Sequence, residues 1–260
     1  MVAISSENCV MTTALNMQGV NLAYPRERTF ITPSSSPSLS PSSSHPSALI
    51  TLLHDADWSL HSGAQVALCG PSGCGKTSLL NMLAAIEKPT SGTICWDAAE
   101  LCNMNARQQD AWRRHQLGLV FQQFHLFPYL SALENVLLPT RFIAITPSSA
   151  QRERAQMLLA RVGVRAHADI ALLSRGEQQR VAVARALLTV PRVVLADEPT
   201  ASLDTDTAQI IAALLRELCR EQGSTLIVAT HDRDIASGFD AIYDMTQGKI
   251  MLRHKALISY

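Results

Sequence analysis

A glycine-rich octapeptide contains the residues of this sequence most suited to chemistry. It fits the pattern G-x-x-x-x-G-K-[ST] and follows an apolar run at residues 64–69. Its members are Gly70, Pro71, Ser72, Gly73, Cys74, Gly75, Lys76 and Thr77. Glycines let the backbone curl until successive N–H groups point at one centre, and a helix beginning near Lys76 adds the positive end of its dipole. We therefore expect a loop that binds the phosphates of a nucleoside triphosphate.

Three side chains at the end of this loop have individual roles in the prediction. Lys76 would place its ammonium group on the β- and γ-phosphates, and Thr77 carries a hydroxyl at the position that ligates Mg²⁺ in such loops. Ser78, the next residue, would belong to the same nucleotide site. The alternative is an ordinary glycine-rich turn between a strand and a helix. Because every motif position is filled and both flanking segments have the right character, phosphate binding is favoured.

Two adjacent carboxylates follow a second apolar strand. The run at residues 192–196 ends in Asp197 and Glu198. Asp197 would hold Mg²⁺ through water, and Glu198 could orient a water molecule in line with the γ-phosphate or act as its general base. An acidic pair at a strand end can also cap the next turn. Beside a complete phosphate loop, the catalytic interpretation is favoured.

A third motif, LSRGEQQR at residues 173–180, resembles the signature L-S-G-G-[QE] of the ATP-binding subunit of ABC transporters. Ser174 and Glu177 have the spacing of a capping box, so the helix they begin offers a hydroxyl, free N–H groups and a positive dipole end. The resemblance implies that Ser174 and Gly176 contact ATP held by the phosphate loop of a second subunit. Arg175 stands where the family has glycine.

The same resemblance implies roles for further residues. Gln122 would contact Mg²⁺ or its waters, with Gln123 as a less favoured alternative, and His231 would contact the γ-phosphate. Asp204 belongs to a segment that lies at the dimer seam in this family. Tyr24 would stack on adenine, although a tyrosine in a strand can also be part of the core. Lys76, Glu198 and His231 would be the catalytic groups.

The order of the apolar segments predicts an α/β fold. With the resemblance, the expected architecture is a P-loop NTPase core with a mostly parallel sheet, an antiparallel β edge and an inserted helical subdomain at residues 122–172. Within that subdomain, Pro139 and Pro147 are expected to lie between the helices. Residues 14–24 alternate in a way that predicts an edge strand.

The expected domain organisation is simple. An ABC-type ATPase domain would span residues 14–260 after a frayed N-terminus at residues 1–13. Between its first two strands, Pro33–Ser47 contains nine serines and four prolines. A segment of this composition can bury almost nothing, so it predicts a disordered insertion.

Composition limits the classes of partner and compartment. The chain has 22 basic and 22 acidic residues, so we expect no nucleic acid partner. No segment approaches the roughly 18 apolar residues of a membrane span, and no export signal is recognisable. The six cysteines lack C-x-x-C spacing, which is typical of reduced cytosolic thiols. We expect a peripheral protein on the cytoplasmic face of the plasma (inner) membrane.

The function implied by the resemblance is ATP hydrolysis coupled to transport. Two ATP-binding subunits, in a homodimer or a heterodimer, would enclose two ATP·Mg²⁺ and drive a separate polytopic membrane permease. The segment at residues 121–136 and the form LSxGEQQR look like the lipoprotein-releasing and macrolide-exporter branch of the family.

Two other functional classes have to be weighed. The first is a soluble ABC ATPase that acts on nucleic acid or the ribosome. It is disfavoured because residues 122–174 are too short for a long coiled coil and no second cassette is present. The second is a nucleotide-binding regulatory module that hydrolyses weakly. Glu198 argues against that module, whereas Arg175 argues for it.

Overall fold

The computed structural model describes residues 13–25, 49–142 and 146–255. Residues 1–12 of the predicted frayed N-terminus and the predicted insertion Pro33–Ser47 lie outside these ranges. The strands are β1 (Thr13–Pro25), β2 (Leu49–His61), β3 (Gln65–Cys69), β4 (Ser91–Trp96), β5 (Ala99–Glu100), β6 (Leu117–Val120), β7 (Val193–Asp197), β8 (Thr225–Thr230), β9 (Ala241–Thr246) and β10 (Lys249–Lys255). The helices are α1 (Lys76–Leu83), α2 (Ala106–Gln116), α3 (Ala132–Arg141), α4 (Ser149–Arg161), α5 (Arg175–Leu187), α6 (Thr205–Gln222) and α7 (Arg233–Ala236).

Two sheets form the framework of the domain. The antiparallel sheet has the strand order β2-β1-β4-β5. The larger sheet has the order β10-β9-β3-β8-β7-β6, and the successive pairs from β9 to β6 are parallel. Strand β10 closes this sheet as an antiparallel hairpin with β9. The predicted α/β class, with a mostly parallel sheet and an antiparallel edge, is confirmed.

The central strands of the larger sheet are covered on both faces. Every residue of β3 and β8 is buried, as are the first four residues of β7. Strands of this kind carry continuous apolar runs rather than alternating patterns, which is why the runs before the phosphate loop and the acidic pair are recognisable in the sequence. Because the strands are parallel, their carboxyl ends meet at one edge of the sheet.

Residues 122–172 contain α3, α4 and a short 3₁₀ helix at Ile170–Leu172. The apolar faces of α3, α4 and α5 pack into one core with a face of the parallel sheet, as shown by Val136, Leu159, Val183 and Val228. The helical insertion therefore shares its core with the sheet that carries the phosphate loop.

One predicted break is wrong, because Pro139 lies inside α3 rather than between helices. The N-terminus of α3 is fixed by a capping box in which Glu134 N donates to Ser131 Oγ and Ser131 N donates to Glu134. Buried residues continue beyond the proline to Thr140, whose hydroxyl donates to the Leu137 carbonyl. This burial and the strong cap outweigh the one helical hydrogen bond that proline removes.

The prediction that residues 14–24 form an edge strand is also wrong. Strand β1 lies between β2 and β4 and has hydrogen-bonded partners on both sides. Alternation of apolar and polar residues shows which face of a strand is buried, but it carries no information on the number of neighbouring strands. Here β4 is distant from β1 in sequence but lies beside it in the sheet, where Ile94 pairs with Met17.

The second core lies between the two sheets. It joins Met17 and Trp58 of the antiparallel sheet to Leu68 of β3 and Leu83 of α1. Helix α1 is therefore held on both sides, so the loop that precedes it has a rigid support. Within the described ranges, no helix is both long enough and apolar enough to cross a membrane.

Candidate functional site

The carboxyl ends of the parallel strands surround a cavity of about 370 Å³. It is lined by Leu52, Ser72, Gly73, Gly75, Lys76, Thr77, Ser78, Gln122, Asp197, Glu198 and His231. The structure thus brings together the phosphate loop after β3, Gln122 after β6, the acidic pair at the end of β7 and His231 after β8. Gln122 lines the cavity, whereas Gln123 does not.

The backbone of the loop ends in a conformation that suits an anion. Gly75 precedes α1 with a φ of 103°, a value that side chains of L-residues rarely allow. No described side chain caps α1, so the first N–H groups of the helix are directed toward the cavity without a protein acceptor. An uncapped helix start of this kind binds phosphate through its N–H groups and its dipole.

Lys76 is almost completely buried at the base of this cavity, with 7% of its side chain exposed. Its Nζ donates to the carbonyls of Gly70 at 2.8 Å and Pro71 at 3.2 Å. The Oε1 atom of Glu198 lies 3.6 Å from the same nitrogen. A cation with so little access to water attracts a polyanion strongly, because water screens the charge only weakly there.

Thr77 and Asp197 together fit a magnesium ion. The hydroxyl of Thr77 donates to Asp197 Oδ2 at 2.7 Å, whereas the buried Oδ1 has no hydrogen-bond partner among the described residues. Burial raises the pKa of the Asp197 carboxyl, and its neighbour Glu198 adds to that increase. A hydroxyl beside an unsatisfied carboxylate oxygen supplies the few hard ligands that Mg²⁺ takes from a protein when phosphates complete its shell.

Replacing Asp197 with Asn tests this fit directly. We expect the Asp197→Asn variant to bind ATP in EDTA about as well as the parent, because the phosphate loop and Lys76 are untouched. The increase in ATP affinity on adding MgCl₂ should be lost, because the unsatisfied oxygen no longer carries charge. Equilibrium titration with and without Mg²⁺ measures both quantities. Glu153→Gln, on the exposed face of α4, should keep the parent's Mg²⁺ dependence, and the assignment fails if Asp197→Asn does as well.

Glu198 is held firmly between two partners. Its Oε2 atom lies 2.8 Å from His231 Nδ1, and its Oε1 atom faces Lys76. An ionised carboxylate can only accept, so His231 donates from Nδ1 in this contact and keeps Nε2 for another group. The backbone of Glu198 has a φ of 45°. A non-glycine residue in this region is strained, and such residues concentrate at functional sites.

Tyr24 lies beside α1 and is not part of the cavity lining. Its hydroxyl donates to the carboxylate of Glu87 and lies 3.4 Å from Ser78 Oγ. Burial and the hydrogen bond with Glu87 raise the pKa of the tyrosine hydroxyl. Sequence analysis missed Glu87 and the cavity residue Leu52, because neither belongs to a motif.

The signature motif also lies apart from the cavity of its own chain. Ser174 caps α5 through a capping box with Glu177, as its spacing predicts. Asp204 caps α6 by accepting from Thr207 N at 2.9 Å. The two helix starts approach closely, because a Cβ on Gly176 would lie 2.8 Å from Thr207 Cγ2. Neither of these helix starts contributes to the lining of the phosphate cavity.

An open groove of about 570 Å³ lies between α2, α3 and α5. Leu119, Phe121, Pro139 and Phe142 give it an apolar surface. Three arginines, Arg113, Arg114 and Arg185, stand along the same groove. Because Phe121 immediately precedes Gln122, the groove and the phosphate cavity share one loop.

Comparisons with known proteins agree with this geometry. Residues 53–201 match the sequence profile of the family described as ABC transporter. The lipoprotein-releasing system ATP-binding protein LolD of Hydrogenovibrio crunogenus is 43% identical over 203 residues, covering 77% of this chain and 88% of the relative. The macrolide export ATP-binding/permease protein MacB 2 of Aeromonas hydrophila is 38% identical, with 77% of this chain matching 31% of that one.

A solved structure extends the likeness to the whole fold. The dimeric post-hydrolysis structure of the ATP-binding cassette MJ0796, bound to ADP and Pi, has a TM-score of 0.76 with this chain. The alignment covers 95% of this chain and 100% of the cassette at 32% sequence identity. At this identity and coverage, the similarity concerns the complete cassette and not a single motif.

Proposed function

The chain belongs to the ABC transporter family, and on that premise we propose that the cavity at the carboxyl ends of the parallel strands is its site of ATP hydrolysis. The chain is an ATPase subunit of a transporter. The observation that supports the proposed site is the convergence of the phosphate loop, Gln122, the acidic pair and His231 on one cavity. In the sequence only the resemblance connects these distant segments, and their presence in the lining of one cavity supports a shared role.

The phosphate loop binds the substrate in this proposal. The triphosphate accepts from the free N–H groups at the start of α1, and Lys76 exchanges the Gly70 and Pro71 carbonyls for phosphate oxygens. Thr77, Gln122 and Asp197 would hold Mg²⁺, which neutralises negative charge on the phosphates when it is bound. Positioning and charge neutralisation supply most of the catalysis in phosphoryl transfer.

Glu198 and His231 act on the attacking water in this proposal. The carboxylate of Glu198 orients the water toward the γ-phosphate and accepts its proton. His231 fixes that carboxylate through Nδ1, and only as an imidazolium, with both ring nitrogens protonated, does it also donate from Nε2 to the γ-phosphate. Because Lys76 and His231 hold different oxygens of Glu198, the carboxylate has little rotational freedom. Such preorganisation lowers the cost of reaching the transition state.

A second subunit completes each nucleotide site in the same proposal. Ser174, Gly176 and Asp204 stand at two adjacent helix starts that are outside the cavity of their own chain. They would meet ATP bound to the partner, together with N–H groups of α5. The dimeric form of the MJ0796 cassette supports this arrangement. The second subunit is a copy of this chain in a homodimer or a related cassette in a heterodimer.

We assign the groove between α2, α3 and α5 to the membrane permease. Its apolar wall includes Phe142, which is 72% exposed. Asp110, which also lines the groove, pairs with Arg113, so the groove keeps the positive charge of Arg114 and Arg185. This charge favours a helix that carries apolar residues together with acidic ones. The macrolide exporter relative is an ATP-binding/permease protein in one chain, which supports a permease as the occupant. A subunit docked in this way is peripheral on the cytoplasmic face of the inner membrane.

Purification from membranes tests the partner. The tagged chain should bring down a polytopic membrane protein, and Phe142→Glu should reduce its recovery at least about tenfold, because a buried charge replaces an apolar contact. Tyr129→Glu is the matched control, since Tyr129 is 97% exposed and lies outside the groove. Recovery of ribosomes or DNA in place of a membrane protein would overturn the assignment.

A further inference from the structure

Arg175 departs from the family pattern at the start of the signature helix, and its guanidinium has a partner within the chain. It is the first residue of α5 and is exposed. Its Cζ atom lies 5.5 Å from the centre of the Phe124 ring. A guanidinium over an aromatic face at an exposed site shifts an equilibrium roughly two- to fivefold. Glu177, the nearest acidic residue in sequence, directs its carboxylate to Ser174 instead.

Phe124 is itself fixed by residues of the groove. Arg185 donates to the Phe124 carbonyl at 2.7 Å and to the His125 carbonyl at 2.6 Å. The ring of His125 packs edge-on against Phe121 with centroids 5.1 Å apart, and His125 has a φ of 47°. Phe121, His125 and Arg185 all line the groove. The backbone that carries the Phe124 ring is therefore anchored to residues of the groove wall.

The loop from Phe121 to His125 consequently contacts three functional regions. Gln122 lines the phosphate cavity, Phe121 and His125 line the groove, and Phe124 lies beneath Arg175. A displacement of the groove wall would reach the signature helix through the contact between Phe124 and Arg175. With glycine at position 175, as in the family pattern, the helix start would have no side chain to make this contact.

We propose that Arg175 is a positioning residue that rests on Phe124 and so ties the start of the signature helix to the wall of the permease groove. The occupant of the groove then determines how Ser174 and Gly176 meet the nucleotide of the second subunit. This inference rests on the proposed function, because it concerns the ATP-driven dimer. It assigns the guanidinium to an aromatic ring of its own chain and not to a phosphate.

A double-mutant cycle tests the contact. We would measure the dissociation constant of the ATP-driven dimer in the Glu198→Gln background for Arg175→Gln, Phe124→Leu and the double variant. Each single substitution should raise the constant two- to fivefold, and the double variant should match a single one, because both remove the same interaction. Arg175→Lys should restore most of the parent's affinity, since an ammonium also binds the ring face. ATP affinity of the monomer should stay unchanged.

Tyr129→Leu is the control for the loop, because it removes an exposed aromatic ring at a different position. Its effect should add to that of Arg175→Gln. The inference is overturned if Arg175→Gln and Phe124→Leu are additive, or if Phe124→Leu has no effect while Arg175→Gln weakens the dimer. Failure of the Glu198→Gln parent to dimerise with ATP would instead contradict the proposed function.

Discussion

Glu198→Gln should abolish ATP turnover while leaving ATP bound. The amide keeps the size and hydrogen-bonding reach of the carboxylate, but it can neither take a proton from water nor balance the charge of Lys76. We expect the steady-state rate to fall at least about 100-fold, the usual contribution of a general base. Equilibrium ATP binding should remain close to that of the parent, because the phosphate loop is unchanged.

The variant should also accumulate as an ATP-bound dimer, since the two subunits associate around ATP but do not separate without hydrolysis. Gel filtration with ATP and Mg²⁺ measures this directly. Glu217→Gln is the matched control, because Glu217 pairs with Arg161 on the exposed surface of α6; it should turn over at the parent's rate and elute like the parent. Turnover near the parent's rate in Glu198→Gln, or a monomer in the presence of ATP, would remove Glu198 from its proposed role.

Most residues that meet in the candidate site were recognisable in the sequence, because they lie in short local motifs. The predicted phosphate loop, Gly70 to Thr77, is a motif of consecutive residues. Asp197 and Glu198 follow a run that is apolar because β7 is buried on both faces. The location of Gln122 and His231 in the same cavity required the parallel strand order. That order depends on pairings between β6, β7 and β8, which are far apart in sequence.

The features that sequence analysis predicted wrongly or missed depend on contacts between residues that are distant in sequence. The number of neighbours of β1 depends on where β4 returns, and the continuation of α3 through Pro139 depends on burial against other helices. Leu52 enters the cavity through the fold alone. Glu87 accepts a hydrogen bond from Tyr24, and no sequence motif connects these two residues. Each depends on tertiary packing, which overrides local pattern.

Lys76→Ala should weaken ATP binding itself. Lys76 is nearly buried and is the one lysine or arginine among the described residues that line the cavity. In the proposed site its ammonium contacts the β- and γ-phosphates, and charge-assisted hydrogen bonds to phosphate are among the strongest that a protein makes. Loss of two such bonds, at about 1.5–3 kcal/mol each, predicts a decrease in affinity of roughly 100-fold or more. Equilibrium titration with ATP and Mg²⁺ measures it.

Two further variants help to interpret this result. Lys76→Met separates the effect of the charge from that of packing, and Tyr24→Ala concerns the adenine rather than the phosphates. Lys76→Met keeps most of the buried stem, so it should lose affinity like Lys76→Ala while melting closer to the parent. If Tyr24 stacks on adenine, as the resemblance implies, Tyr24→Ala should raise KM for ATP roughly tenfold and leave kcat nearly unchanged.

Comparison of Lys76→Ala with Lys76→Met shows whether the charge of Lys76 binds the nucleotide or stabilises the free protein. Its ammonium also satisfies the Gly70 and Pro71 carbonyls and faces Glu198, so Lys76→Ala will destabilise the free protein as well. If Lys76→Met bound ATP as tightly as the parent, the charge would be serving the loop and Glu198 rather than the phosphates. Weak ATP binding by Lys76→Met, together with a near-normal melting temperature, would place the charge on the nucleotide.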